Sequence, residues 1–205
     1  MTQAQARLPK PMQRPGGRTE RVRRQVVAAT VALLAEDGVA GITVDSVATR
    51  SEVARTTIYR RWGTPEALML EALREELGPR ARRPVDTGSL RGDLTALLQD
   101  VTAFSTSDQG RGIMQAVFIQ RSSPVIASEV SAYWTQRFAA AGEIVRRAID
   151  RGELGRDLPE RLVMEMAAAP VYLRLFITHE PVDDAYLAGV VEFVLVGCGA
   201  RDHAL

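Results

Sequence analysis

The sequence predicts an all-α protein in two parts, a small three-helix unit near the N-terminus and a larger helical domain after it. Three observations carry that prediction. Apolar residues recur at steps of three and four in one segment after another. Glycine and proline punctuate those segments, and no stretch alternates apolar with polar residues as a half-buried strand would.

Composition narrows the possibilities. With 46% hydrophobic and 25% charged residues in 205, the chain has globular and not disordered composition. No apolar run reaches the ~20 residues of a membrane span; the nearest, 187–198, contains Glu192. The first residues lack the apolar core of a signal peptide, so a cytoplasmic chain with no membrane partner is expected. The single cysteine, Cys198, excludes an internal disulfide and a cysteine-rich metal site, and fits a packing role. Charge is divided unevenly. Of 26 Lys/Arg and 25 Asp/Glu, residues 1–62 hold 11 and 5, leaving 15 and 20 in residues 63–205. A basic first third on an acidic remainder points to a polyanion met at one end, or to a solvated basic tail.

Residues 1–18 contain Pro11, Pro15, Gly16 and Gly17 without periodicity and read as a disordered basic arm. From 19 onwards Val22, Val26, Ala29, Thr30, Leu33 and Leu34 form one apolar stripe, which Gly38 terminates. Thr43 is an N-cap for a second helix, with Asp45 in its first turn and Val44, Val47 and Ala48 on its apolar side. A third helix is predicted over 54–62, with Ala54, Ile58 and Trp62 turned inward, and Gly63 closes it. Thr64-Pro65-Glu66 restarts the chain as N-cap, proline at the first position and an acid, and the fourth helix runs to Gly78. Five further helices are predicted over 89–106, 112–121, 124–151, 159–178 and 183–197. The parts are therefore an arm (1–18), a helix-turn-helix unit with its connecting helix (19–78) and a C-terminal domain (79–205).

Residues 43–62 carry the functional signal. A helix-turn-helix needs a second helix whose inner face packs and whose outer face donates hydrogen bonds to DNA. On the third helix Arg55, Thr56, Tyr59 and Arg60 are neighbours at helical spacing, and all four can donate. Arg55 sits in the first turn, and arginine suits the two acceptors of guanine; Thr56 and Thr57 offer hydroxyls and methyls. Tyr59, Arg60 and Arg61 lie further along and suit phosphates. Thr43 and the Val44 amide open a helix, where an anion is also favoured.

With these residues in place, the sequence resembles the tetracycline-repressor (TetR) family of bacterial transcription regulators. The resemblance rests on Gly38, Ile42-Thr43-Val44, Val47-Ala48, Val53, Thr56 to Trp62 and Pro65-Glu66-Ala67-Leu68. Softer matches lie at Arg151-Gly152-Glu153-Leu154, Pro170 to Leu175 and His179-Glu180-Pro181. It implies base reading by Arg55, Thr56 and Thr57, and phosphate contacts from Tyr59 and Thr43. The family pattern has glycine in the turn where this chain has Glu52, serine where it has Ala54, and lysine where it has Pro65. Basic arms in the family can lie in the minor groove, a role open to Arg14, Arg18, Arg21, Arg23 and Arg24, as is that of a solvated tail.

For the second domain the resemblance implies ligand sensing and dimerisation. Phe104, Met114, Phe118, Trp134, Phe138, Met164 and Tyr172 are bulky residues that could line a cavity for a small, largely apolar effector, or simply pack the core. Two apolar stripes, Leu162, Met166, Ala169, Leu173 and Phe176, then Leu187, Val190, Val191, Val194 and Leu195, suggest a homodimer through 159–178 and 183–197. Such a dimer predicts a pseudo-palindromic operator in double-stranded DNA. Enzyme signatures are lacking. His179 and His203 lie far apart, Asp183-Asp184 reads as a helix cap, and Gly110-Arg111-Gly112 follows no strand, so neither metal nor cofactor is expected. The expectation is a dimeric repressor released from DNA by its ligand; an all-α enzyme or carrier with a basic N-terminus is the alternative.

Overall fold

The computed structural model describes residues 17–81, 84–119 and 123–200. Helices and turns alone build these residues, with no strand among them. Helix α1 (Gly17–Asp37) starts two residues before the predicted periodicity, so Arg18 belongs to a helix. The rest of the predicted arm, with Arg14, lies outside the described residues. Val26, Ala29, Thr30, Leu33 and Leu34 form the buried face of α1 as their spacing requires. Gly38 ends it at φ 65°, a left-handed conformation that glycine enters without a Cβ clash.

A 3-10 turn (Val39–Gly41) leads to α2 (Val44–Ser51), which Thr43 caps. The Ser46 amide donates to the Thr43 hydroxyl and the Thr43 amide donates to the Ser46 hydroxyl, both at 3.0 Å. Helices α3 (Arg55–Arg61) and α4 (Pro65–Leu77) follow, the second capped by Thr64. Ile58 is fully buried and Trp62 packs beside it, but Ala54 is exposed. Ala54 precedes the first helical residue, so the helical spacing that would turn it inward does not reach it.

Beyond a 3-10 turn (Gly78–Ala81) come α5 (Leu90–Thr106), α6 (Asp108–Ile119), α7 (Pro124–Asp150), α8 (Glu160–Leu173) and α9 (Asp184–Gly197). Helix α6 begins four residues before the predicted start at 112, and both of its glycines are helical. A Cβ on Gly112 would stand 2.5 Å from the Leu34 carbonyl of α1, and one on Gly110 1.8 Å from the Phe104 carbonyl. What reads locally as a loop signal is a close helix crossing. Helix α8 stops at 173 and passes into a π-helical turn (Arg174–Thr178), where one helix to 178 is predicted. Pro170 lies just before the change and has no amide to donate within the helix.

Two apolar cores result. The first joins α1 to α4 with Ile113, Met114, Ala116 and Val117 of α6; the second is built by α5, α7, α8 and α9. The N-terminal unit thus shares its core with the C-terminal domain, which adds Phe104 of α5 and Ile126 of α7 besides the α6 residues. At the base of the second core Asp93 is a buried carboxylate. It accepts from the Thr87 amide and hydroxyl, each at 2.7 Å, and faces Arg147 and Arg151 at 3.5 Å. These partners pin the stretch before α5 to the end of α7 and make the buried charge tolerable.

Candidate nucleic-acid interface

Helices α2 and α3 are joined by a turn in which Glu52 sits at φ 55°, ψ 25°. A non-glycine residue held there is strained by roughly 1–2 kcal/mol. Ala54 makes no side-chain bond to the start of α3, a missing cap worth about 0.5–2 kcal/mol. Packing compensates. Ile58, with no exposed surface, anchors α3 against a core that contains Val44 and Val47 of α2.

With Ile58 inward, the opposite side of α3 is open to solvent. Arg55, Thr56, Tyr59, Arg60 and Arg61 are exposed and Thr57 is half-buried, and Arg55, Thr56, Tyr59 and Arg60 share one outward surface. Tyr59 leaves 55% of its surface exposed, an arrangement suited to an aromatic with a hydroxyl to offer. Two residues of the set carry internal partners. Arg55 forms an ion pair with Asp45 of α2, Nε to Oδ1 at 2.9 Å. Arg61 donates to the Thr19 carbonyl at 3.0 Å and stacks on Trp62, 4.9 Å from its ring centre, so it faces the start of α1. At the start of α2 the Val44 side chain is in the core, which leaves its amide as the candidate contact. The Thr43 hydroxyl is already engaged with Ser46. Among the arginines considered for the minor groove, Arg23 is bound to Glu71 and Glu75 of α4 at 3.1 and 3.0 Å, besides Glu20 of its own helix.

In the C-terminal domain four of the seven predicted ligand residues form one aromatic cluster. Trp134 stands 6.4 Å from Phe118, 5.7 Å from Phe138 and 5.5 Å from Tyr172, measured between ring centres. Tyr133 and Phe176 complete it at 5.1 Å from Trp134 and Phe118. Sequence reasoning missed Tyr133 as a member and placed Phe176 on the outward stripe; the π-helical turn carries Phe176 inward. Phe104 and Met114 are buried in the first core and Met164 in the second, so Met164 stands apart from most of the set. Burial and then the neighbouring Tyr133 push the Tyr172 phenol up. Beside Tyr133, between α4 and α7, lies a cavity of about 90 Å³ bordered by Leu73, Arg74, Leu77, Glu129 and Gln136.

A recognition helix anchored by one buried residue, an outward row of hydrogen-bond donors and a helical second domain define a helix-turn-helix DNA-binding regulator. Comparison with known proteins agrees. Residues 26–72 match the model of the bacterial regulatory proteins of the tetR family, and residues 84–194 that of the tetracyclin repressor-like C-terminal domain. The HTH-type transcriptional regulator AqdR of Rhodococcus erythropolis is 31% identical over 167 residues, 82% of this chain and 79% of that protein. The DNA-binding transcriptional repressor TetR of Mycobacteroides abscessus is 30% identical over 86% of this chain and 94% of its own. The crystal structure of the TetR family regulator SCO0332 superposes with a TM-score of 0.66 at 31% identity, covering 86% of this chain and 97% of that one. The chain belongs to the TetR family of bacterial transcription regulators, and it is a regulator and not an enzyme. No helix among the described residues is long and apolar enough to cross a membrane.

Proposed function

We propose that the protein is a dimeric repressor that reads a pseudo-palindromic operator with α3 and leaves it when a small, largely apolar ligand enters the C-terminal domain. The observation that carries DNA reading is the outward row on α3, opposite the fully buried Ile58. Arg55, Thr56 and Thr57 are assigned to bases, and Tyr59, Arg60, Arg61, Thr43 and the Val44 amide to phosphates. The repressor sign is supported by the Mycobacteroides abscessus relative, which is named a DNA-binding transcriptional repressor.

Dimerisation is supported by apolar surface left over after the chain has built its own core. On α8 Leu162, Met166 and Leu173 are each at least half exposed, as the sequence predicts. On α9 the predicted stripe Leu187, Val190, Val191, Val194 and Leu195 is instead spent on the second core. Its outward face holds Phe193 and Val196 with Ala185, Ala188 and Gly189, whose small side chains permit close approach. Two copies meeting on these faces form a four-helix interface.

Release follows from size. A ligand site usually needs ~300–1,000 Å³, more than the cavity of about 90 Å³ beside the aromatic cluster; a more open groove of about 810 Å³ bordered by Ile42, Thr64 and Met69 lies away from that cluster. A ligand admitted beside the aromatic cluster parts α4 and α7, and α4 carries the helix-turn-helix with it. The test is selection of operator fragments from random double-stranded DNA, followed by titration of wild type, Arg55→Ala and Tyr59→Ala. Arg55→Ala is expected to lose base preference and Tyr59→Ala to bind all sequences more weakly. Parent-like binding by both variants overturns the site assignment.

A further inference from the structure

The ion pair between Asp45 and Arg55 joins the two helices of the motif across the turn, 2.9 Å from Oδ1 to Nε. Stability does not account for it. Both side chains are more than half exposed, 61% for Arg55 and 57% for Asp45, and such pairs contribute little to folding. Its geometry has a different consequence. A guanidinium offers Nε on one edge and two Nη groups at its far end. The carboxylate is an ion-pair partner near Nε, and neither Nη group donates a hydrogen bond among the described residues, so both remain to donate to DNA. The two Nη groups match the two acceptors of guanine, O6 and N7, whereas adenine presents one acceptor and one donor there.

From this we infer that Asp45 is the specificity-determining partner of the recognition helix: it orders Arg55 for end-on, two-pronged reading of guanine. The inference rests on the base-reading role assigned to Arg55. Asp45 is well placed to position another side chain because its own backbone is fixed. It lies in the first turn of α2, next to the Thr43–Ser46 capping box, and its carbonyl accepts from the Thr49 hydroxyl at 2.9 Å. Val44 and Val47 on either side of it are buried, so α2 cannot turn without breaking the core. An arginine on an exposed helix start otherwise samples many rotamers, and freezing them opposes binding. Asp45 removes part of that cost before DNA arrives. It also deters Arg55 from a neighbouring phosphate, since a phosphate drawn to Arg55 meets the carboxylate as well.

Selection from a random double-stranded DNA library tests this with the full-length wild type, Asp45→Ala, Arg55→Ala and the double variant, each checked by thermal denaturation. Wild type is expected to enrich guanine at a symmetric pair of positions that Arg55→Ala no longer reads. Asp45→Ala is expected to weaken that preference by about two- to fivefold, a fraction of the whole bidentate contact that Arg55→Ala removes. Preferences elsewhere stay intact, and affinity for random-sequence DNA rises because a negative charge is gone. The double variant is expected to select the same sequences as Arg55→Ala. Full guanine preference in Asp45→Ala, with loss in Arg55→Ala, overturns the positioning role and leaves Arg55 as reader. A lowered melting temperature with uniform loss at every position also overturns it, as a purely structural pair. An unchanged sequence in Arg55→Ala removes the reader assignment itself, and this inference with it.

Discussion

Arg74 of α4 and Glu129 of α7 form a two-pronged ion pair, Nε to Oε1 and Nη2 to Oε2 both at 2.9 Å. It ties the helix that carries the DNA-binding unit to the longest helix of the C-terminal domain, at the edge of the small cavity. The hydrogen bonds and charge of Arg74 hold the Glu129 carboxyl below its ordinary value, and Glu129 in turn raises Arg74. A depressed carboxylate stabilises the fold above its unfolded pKa and loses that effect as pH falls through the folded value. Arg74 is more than half exposed, so Glu129→Gln is expected to lower stability at pH 7 by less than about 1 kcal/mol. In urea unfolding the gap between variant and wild type should close as pH falls below the usual carboxylate range. A gap that widens on acidification rules out this pairing. If the strut transmits ligand binding, the same variant keeps its operator affinity but responds less to ligand.

Glu52 occupies a left-handed position that glycine adopts without strain. Glu52→Gly is expected to raise stability by up to about 1 kcal/mol, the strain relieved less the extra freedom of glycine in the unfolded chain. Removing an acid beside the recognition helix should also tighten binding to DNA at low salt. Thermal denaturation and DNA titration at several salt concentrations measure the two effects separately.

Gly112 lets α6 lie against the backbone of α1, where a Cβ would stand 2.5 Å from Leu34. Alanine is an excellent helix former, so local propensity alone predicts that Gly112→Ala stabilises α6. The crossing predicts the reverse, a loss of about 1–3 kcal/mol from forced separation of the helices. The sign of the change in melting temperature decides between them.

Phe193 is 84% exposed on α9, whereas Leu187 on the same helix is buried. Phe193→Arg should shift the protein from dimer to monomer in sedimentation while its helical signal and melting of the monomer persist. Leu187→Ala should instead cost about 2–5 kcal/mol of fold stability. A dimer unaffected by Phe193→Arg places the interface elsewhere.

Much of the fold was legible because its signals are local. Thr43, Thr64, Ser89 and Asp183 each start a helix by accepting from an amide three residues on, a bond that needs no partner from elsewhere in the chain. The outward row on α3 was legible for the same reason, since helical spacing alone groups Arg55, Thr56, Tyr59 and Arg60 once Ile58 is turned inward. What tertiary structure decided depends on residues far apart in sequence. Gly112 needs no side chain because α6 crosses the Leu34 backbone there, and α9 turns Phe193 and not Val191 to solvent because α5 and α8 cover its other side. Asp45 reads locally as a favourable charge at a helix start; only the packing of α2 on α3 brings it to Arg55. Periodicity tells which residues share a face, but what covers that face is set by helices that the local sequence does not contain.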